Sequence, residues 1–194
     1  MLRLGDPIDY GTDIGPVIDE AAQDALEAHK LKMSREARQL IDPAVPAECR
    51  AGTYVSPAIY EIEALSALDR EVFGPILHVV RYQAGHLDRV CKAINETGYG
   101  LTLGLHSRID AVADFVEEHA AVGNLYVNRN QIGAVVGVQP FGGEGLSGTG
   151  PKAGGPNTLR AFTIERTRTT DVTATGGNIA LLSLDQAASP KQPT

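Results

Sequence analysis

Cysteine is nearly missing from this chain. The two present, Cys49 and Cys91, form neither a disulfide framework nor a metal or redox spacing. Such usage suits a reducing compartment, so a cytoplasmic location is expected. Excess positive charge is missing too. The 17 Lys and Arg are outnumbered by 24 Asp and Glu, for a net charge of −7 with both signs interspersed. That argues against nucleic acid and against anionic membrane surfaces as partners. No apolar run approaches the roughly 20 residues that a membrane span needs. The opening MLRLGDPIDYG has no apolar signal core, so secretion is not expected. The five histidines (29, 78, 86, 106 and 119) are scattered without metal-ligand spacing, and no internal repeat is visible. What is there is ordinary globular composition, 43% hydrophobic and 21% charged, in 194 residues. This length suits one domain or one and a fraction.

The order of signals along the chain predicts an α/β architecture. Residues 1–17 are broken by Gly5, Pro7, Gly11, Gly15 and Pro16 and read as extended or loop. A helix is predicted from about Asp19. Asp19 can cap it, Glu20 suits its positive end, and Ala22, Leu26 and Met33 keep one apolar face. Residues 53–60 are β-rich, but Pro57 predicts an edge or bulged strand. Residues 75–82 read as a buried strand, Leu87 to Ile94 as a helix stopped near Gly98, and 101–107 as a strand. Ile109, Val112, Phe115 and Val116 mark a second helix with Gly123 at its end, and 124–129 a third strand. Alternating strands and helices with short links imply parallel pairing, hence an open α/β sheet. Ligands on such sheets sit beyond the carboxyl ends of the strands. Residues 159–171 alternate apolar and polar types and read as an exposed strand open to pairing with another chain. The tail after about Ser183 is polar and reads as loose.

From one such strand end leaves a glycine-rich stretch, residues 132–155, in which only Glu144 and Lys152 carry charge. Ordering so many glycines costs entropy and gains little side-chain burial, so the loop is expected to wrap a ligand. Its Gly143, Gly145 and Gly148 spell G-x-G-x-x-G, but the following Thr149-Gly150-Pro151-Lys152 cannot open a helix. A dinucleotide fingerprint is therefore rejected, and most of these glycines read as turn formers. Backbone N–H groups at Gly133 and Ala134 can approach a carboxylate closely, and Phe141 can pack on an aliphatic portion of the same ligand. Before the 75–82 strand, Glu71 can accept hydrogen bonds from vicinal hydroxyls and Phe73 can stack on a flat heterocycle. The plainer alternative is a surface Glu and a core Phe at a turn set by Gly74-Pro75. Cys91 lies on the apolar face of its helix and reads as core, whereas Cys49 reads as part of a polar loop beside Arg50.

Glu71-Val72-Phe73-Gly74-Pro75 resembles the E-x-F-G-P signature of the aldehyde dehydrogenase superfamily. The order then matches as well: Tyr99-Gly100-Leu101, Gly123-Asn124-Leu125-Tyr126-Val127-Asn128 and Pro140-Phe141-Gly142-Gly143. The resemblance covers nearly the whole chain. Residues 128–155 are similar to the L-glutamate γ-semialdehyde (Δ1-pyrroline-5-carboxylate) dehydrogenase branch. Residues 167–184 resemble the C-terminal motif of the bifunctional bacterial proline utilization A family.

The resemblance implies a partial aldehyde dehydrogenase catalytic domain over residues 1–157, an oligomerisation-flap strand over 158–170 and a C-terminal motif and tail over 171–194. It implies that Glu71 binds the nicotinamide-ribose hydroxyls of NAD and that Phe73 packs near the nicotinamide. Gly133 and Ala134 would hold the substrate's α-carboxylate, Phe141 its carbon chain, and the region of Gly176, Gly177 and Asn178 would cover an interior tunnel. FAD belongs only to the proline dehydrogenase domain that precedes this region in that family. The implied partners are glutamate semialdehyde and, through the flap strand, further copies of the enzyme. No metal is implied. The family's nucleophilic cysteine stands in a G-Q-x-C context, which does not occur here. The resemblance thus reads the chain as a C-terminal fragment of an NAD-dependent oxidoreductase, inactive alone, with no catalytic residue of its own. Two alternatives stay open: a non-catalytic module that pairs with a full-length enzyme, and a different aldehyde substrate.

Overall fold

The computed structural model describes residues 2–171. They fall into two compact units, one ending at Gly155 and the other beginning at Pro156. The first unit opens with a loop closed by a bridge between Leu4 and Ile14. Helix α1 (Glu20–Glu36) follows, and Asp19 caps it, its Oδ1 accepting from Ala22 N–H at 2.8 Å. The buried side chains of α1 are Leu26, Lys30 and Met33, spaced four and three residues apart on one face.

That face covers a mixed sheet of β1 (Arg38–Ile41), β2 (Ala58–Ile62) and β3 (Ile76–Val80). β2 lies in the centre, antiparallel to β1 and parallel to β3, and buries alternate residues Ala58, Tyr60 and Ile62. These three pack with Met33, Ile76 and Val80 as one apolar core. The buried lysine of α1 is compensated locally. Lys30 Nζ lies 2.8 Å from Asp42 Oδ1 and donates to Ser56 Oγ at 3.0 Å, while Tyr60 O–H donates to Asp42 Oδ2 at 2.9 Å. Burial, and then the Asp42 carboxylate, push the Tyr60 phenol up to about 12.

A second core lies under α2 (Leu87–Glu96) and α3 (Asp110–His119), where Cys91, Val116 and Ala120 pack with Leu103, Leu105 and Leu125. Those leucines belong to β5 (Thr102–Leu105) and β6 (Asn124–Val127), which pair in parallel. The remaining strands, β4 (Tyr99–Gly100) and β7 (Glu144–Gly145), form an antiparallel pair.

The α/β class is as expected, with several differences in detail. β3 and β5 do not pair, so the parallel strands form two ladders rather than one continuous sheet. Consecutive strands are spatial neighbours only about two-thirds of the time. The β-rich segment with Pro57 is not an edge, although its ladder with β1 carries a register shift between Gln39 and Ile41. Its strand begins one residue after the proline, which leaves every ladder N–H intact. β1 has no signal in the sequence, because all four of its residues are exposed and no apolar alternation marks it. α3 ends at His119, and Gly123 instead enters β6, its N–H bonded to Gly100 O at 2.9 Å. In the second unit, the expected strand over 159–171 starts as a 3₁₀ turn, Leu159–Phe162, and the residues after it join no ladder. A strand needs a partner for its N–H and C=O groups, and the described residues supply none there. The expectations for the tail, including Gly176, Gly177 and Asn178, lie outside the described residues.

Candidate functional site

Glu71 and Phe73 sit on the turn that delivers the chain into β3. Gly74 N–H bonds Val72 O at 3.1 Å and Ile76 N–H bonds Gly74 O at 2.8 Å, which holds both side chains out of the sheet. Phe73 is 79% exposed, so the alternative of a core phenylalanine does not hold. Glu71 makes no hydrogen bond or ion pair among the described residues, which leaves its carboxylate free to accept from hydroxyls. Both residues line a cleft of 530 Å³ whose far wall includes Tyr99, Leu101, Leu146 and Ser147. They also line a smaller one of 240 Å³ against Ala22, Ala25, Leu26 and His29 of α1. An exposed aromatic ring and an unpaired carboxylate thus border both clefts.

The sequence marks Ala22 and Leu26 of α1 only as an apolar face, and does not mark Leu146 and Ser147 of the glycine-rich stretch as cleft residues. The available signal was weak: two alanines one turn apart on a capped helix. Ser147 reaches the cleft because its Oγ accepts from Gly100 N–H at 3.1 Å, while Leu146 N–H bonds Gly98 O at 2.9 Å. Next to the smaller cleft, His29 Nε2 and His78 Nε2 are 2.9 Å apart and share one hydrogen bond. Burial, then the positive charge of Lys32, lower the His29 pKa; burial, then His29 itself, lower that of His78. Among the described residues, no group of three or more His, Cys, Asp or Glu could hold a metal ion.

The glycine-rich stretch starts where β6 ends. Asn128 takes a left-handed backbone, φ 56°, and its side chain both donates to Ser107 O at 2.8 Å and accepts from Ser107 N–H at 3.0 Å. Arg129 stacks over the Tyr126 ring at 4.5 Å. Beyond it, Gly133 and Ala134 are half-buried, and their N–H groups have no partner among the described residues. A turn follows directly, closed by Gln139, whose Oε1 accepts from Val135 N–H at 3.0 Å.

The chain then returns to the start of β6. Phe141 forms a two-bond bridge with Ala153, at 3.0 and 2.9 Å, and Asn124 grips both of its neighbours. Asn124 Nδ2 donates to Pro140 O at 3.0 Å, and its Oδ1 accepts from Gly142 N–H at 3.2 Å. Lys152 Nζ donates to Gly142 O at 2.8 Å. The two clefts that hold Glu71 and Phe73 contain none of Gly133, Ala134 and Phe141. The structure therefore gives the two candidate groups separate surroundings. The G-x-G-x-x-G run is turn and β7, with no helix opening after it. Cys91 is core, 2% exposed, as expected. Cys49 is 3% exposed within a 3₁₀ turn, Ala47–Cys49, and not in an open polar loop. Burial pushes the Cys91 thiol up, away from the thiolate.

Comparison with known proteins narrows the identity. The model of the aldehyde dehydrogenase family matches residues 1–167. The bifunctional protein PutA of Rhizobium meliloti is 55% identical over 150 residues, which is 77% of this chain and 12% of that protein. A crystal structure of a Bradyrhizobium japonicum proline utilization A mutant superposes with a TM-score of 0.79 at 56% identity, covering 83% of this chain and 16% of the other. The 1-pyrroline-5-carboxylate dehydrogenase from Thermus, solved with bound NAD, gives a TM-score of 0.74 at 32% identity over 83% of this chain and 31% of the other. The chain thus spans about an eighth of the length of the curated PutA relatives it matches.

Proposed function

The chain belongs to the aldehyde dehydrogenase family, and from that premise we propose that it forms binding walls of an NAD-dependent L-glutamate γ-semialdehyde dehydrogenase of proline catabolism. The observation that carries this reading is that, in a run of unpartnered N–H groups from Arg129 to Ala134, those of Gly133 and Ala134 are adjacent and belong to half-buried residues, in a loop held at both ends. Two successive unpartnered amide donors suit the α-carboxylate of an amino acid aldehyde. Phe141 supplies an apolar surface for its carbon chain. Glu71 accepts from the ribose hydroxyls of NAD, and Phe73 excludes water from one face of the nicotinamide ring. When bound, NAD takes up the hydride that leaves the aldehyde carbon. The likeness to dehydrogenases of proline catabolism, one of them solved with NAD, supports both ligands.

Family chemistry needs a reactive thiolate, and both cysteines here are buried. We therefore assign this chain binding and no turnover of its own. The test has two arms. Calorimetric titration should show NAD binding that weakens in Glu71→Ala, while glutamate, the product, should bind independently of that substitution. No NADH should form when glutamate semialdehyde and NAD are added to the chain. Turnover that persists after Cys49→Ser and Cys91→Ser would refute the assignment. A second reading is favoured by the second unit, where Phe162 and Ile164 are 83% and 95% exposed. Such apolar exposure suits pairing of residues 158–170 with another copy of the enzyme.

A further inference from the structure

The glycine-rich stretch is held very unevenly. Around Phe141, consecutive backbone polar groups are all satisfied. Pro140 C=O and Gly142 N–H go to Asn124, both groups of Phe141 go to Ala153, and Gly142 C=O goes to Lys152 Nζ. Around Gly133 and Ala134 the N–H groups have no partner among the described residues. The chain leaves β6 past Val127 and is pinned again at Asn124, the first residue of that strand. At about 3.3 Å per residue, those ends are roughly 10 Å apart. One primary amide thus ties the backbone on both sides of Phe141 to the first residue of β6, while the segment that carries Gly133 and Ala134 leaves from the far end of that strand.

Asn is suited to this because it carries a donor pair and an acceptor on one rigid plane. Asp has no donor for Pro140 O, and Ser is too short to bridge two peptide groups. The neighbouring Gly123 reinforces the arrangement. A Cβ there would run into Gly142 O and lie 2.8 Å from Lys152 Nζ, so the loop backbone sits directly on the strand.

We propose that Asn124 is the positioning residue that sets which chain length of α-carboxylate ligand the site accepts. It acts through Phe141 and does not touch the ligand. This rests on the reading of Gly133, Ala134 and Phe141 as the substrate site. The test uses amide-resolved NMR titration of the ¹⁵N-labelled chain with aspartate, glutamate and 2-aminoadipate, which differ by one methylene each. The wild-type chain should shift the Gly133 and Ala134 amides and bind glutamate most tightly. Asn124→Ala should lower the preference for glutamate over its two homologues by about tenfold, the equivalent of losing two ordinary hydrogen bonds. Asn124→Asp, which keeps the acceptor to Gly142, should fall between, and its melt checks that the fold survives. NAD affinity should not change in either variant, which a general loss of structure would alter. An unchanged preference in both variants would overturn the role of Asn124 alone. Absence of any Gly133 or Ala134 shift in the wild type would overturn the substrate-site reading, and this proposal with it.

Discussion

Replacing Gly123 by Ala adds one methyl group at the tightest backbone approach in the candidate site. The new Cβ would overlap Gly142 O and lie 2.9 Å from Gly142 C, both main-chain atoms that cannot swing aside. Either β6 or the 140–143 segment must move. That movement breaks the 2.8 Å Lys152–Gly142 bond and strains the two bonds from Asn124. A hydrogen bond from a charged donor contributes about 1.5–3 kcal/mol and a neutral one about 0.5–1.5 kcal/mol. The segment is half-buried and water recovers part of this, so the expected loss is about 2–4 kcal/mol. For a chain of this size that lowers Tm by about 4–16 °C. The paired control is Gly133→Ala, where an added Cβ meets nothing within 4 Å; its stability should stay within about 0.5 kcal/mol of wild type. Urea denaturation of the three proteins measures both differences. Equal stability of Gly123→Ala and Gly133→Ala would refute the steric argument and the loop placement behind it.

Two further outcomes are expected. The depressed pKa values of His29 and His78 mean that the unfolded chain takes up protons first as pH falls through about 6.5. Stability should be full above that pH and decline below it, and His78→Gln should flatten the decline in denaturation midpoints measured across acid pH. Lys30→Ala leaves Asp42 with only Tyr60 and Ser56, so equilibrium unfolding should show a loss of about 2–4 kcal/mol. Lys30→Met, which restores apolar volume without a charge, should not recover it unless Asp42 is also neutralised.

Much of the local structure is legible in residue order. The Asp19 cap, the α1 face through Leu26 and Met33, the stop near Gly98 and the β5 and β6 strands follow from side-chain chemistry within a few positions. What fails to show is long-range. Nothing in the local sequence marks Lys30 as buried; Asp42 and Ser56, its partners, lie 12 and 26 residues away. Cys49 reads as exposed until a 3₁₀ turn folds it inward. β1 is invisible because an exposed edge strand carries no apolar period.

The candidate site divides along the same line. Sequence alone determined the chemistry available: a carboxylate and an aromatic ring before β3, a glycine-rich loop after β6, and too few cysteines for a disulfide framework or metal spacing. These are properties of residue type and short spacing. Only the tertiary structure decided that Phe73 stands in solvent, that Cys49 is buried, and that Asn124 grips the loop from 16 and 18 residues away. Hydrogen bonds and close backbone approaches depend on which segments meet. That is set by packing across the whole unit, and no local pattern encodes it.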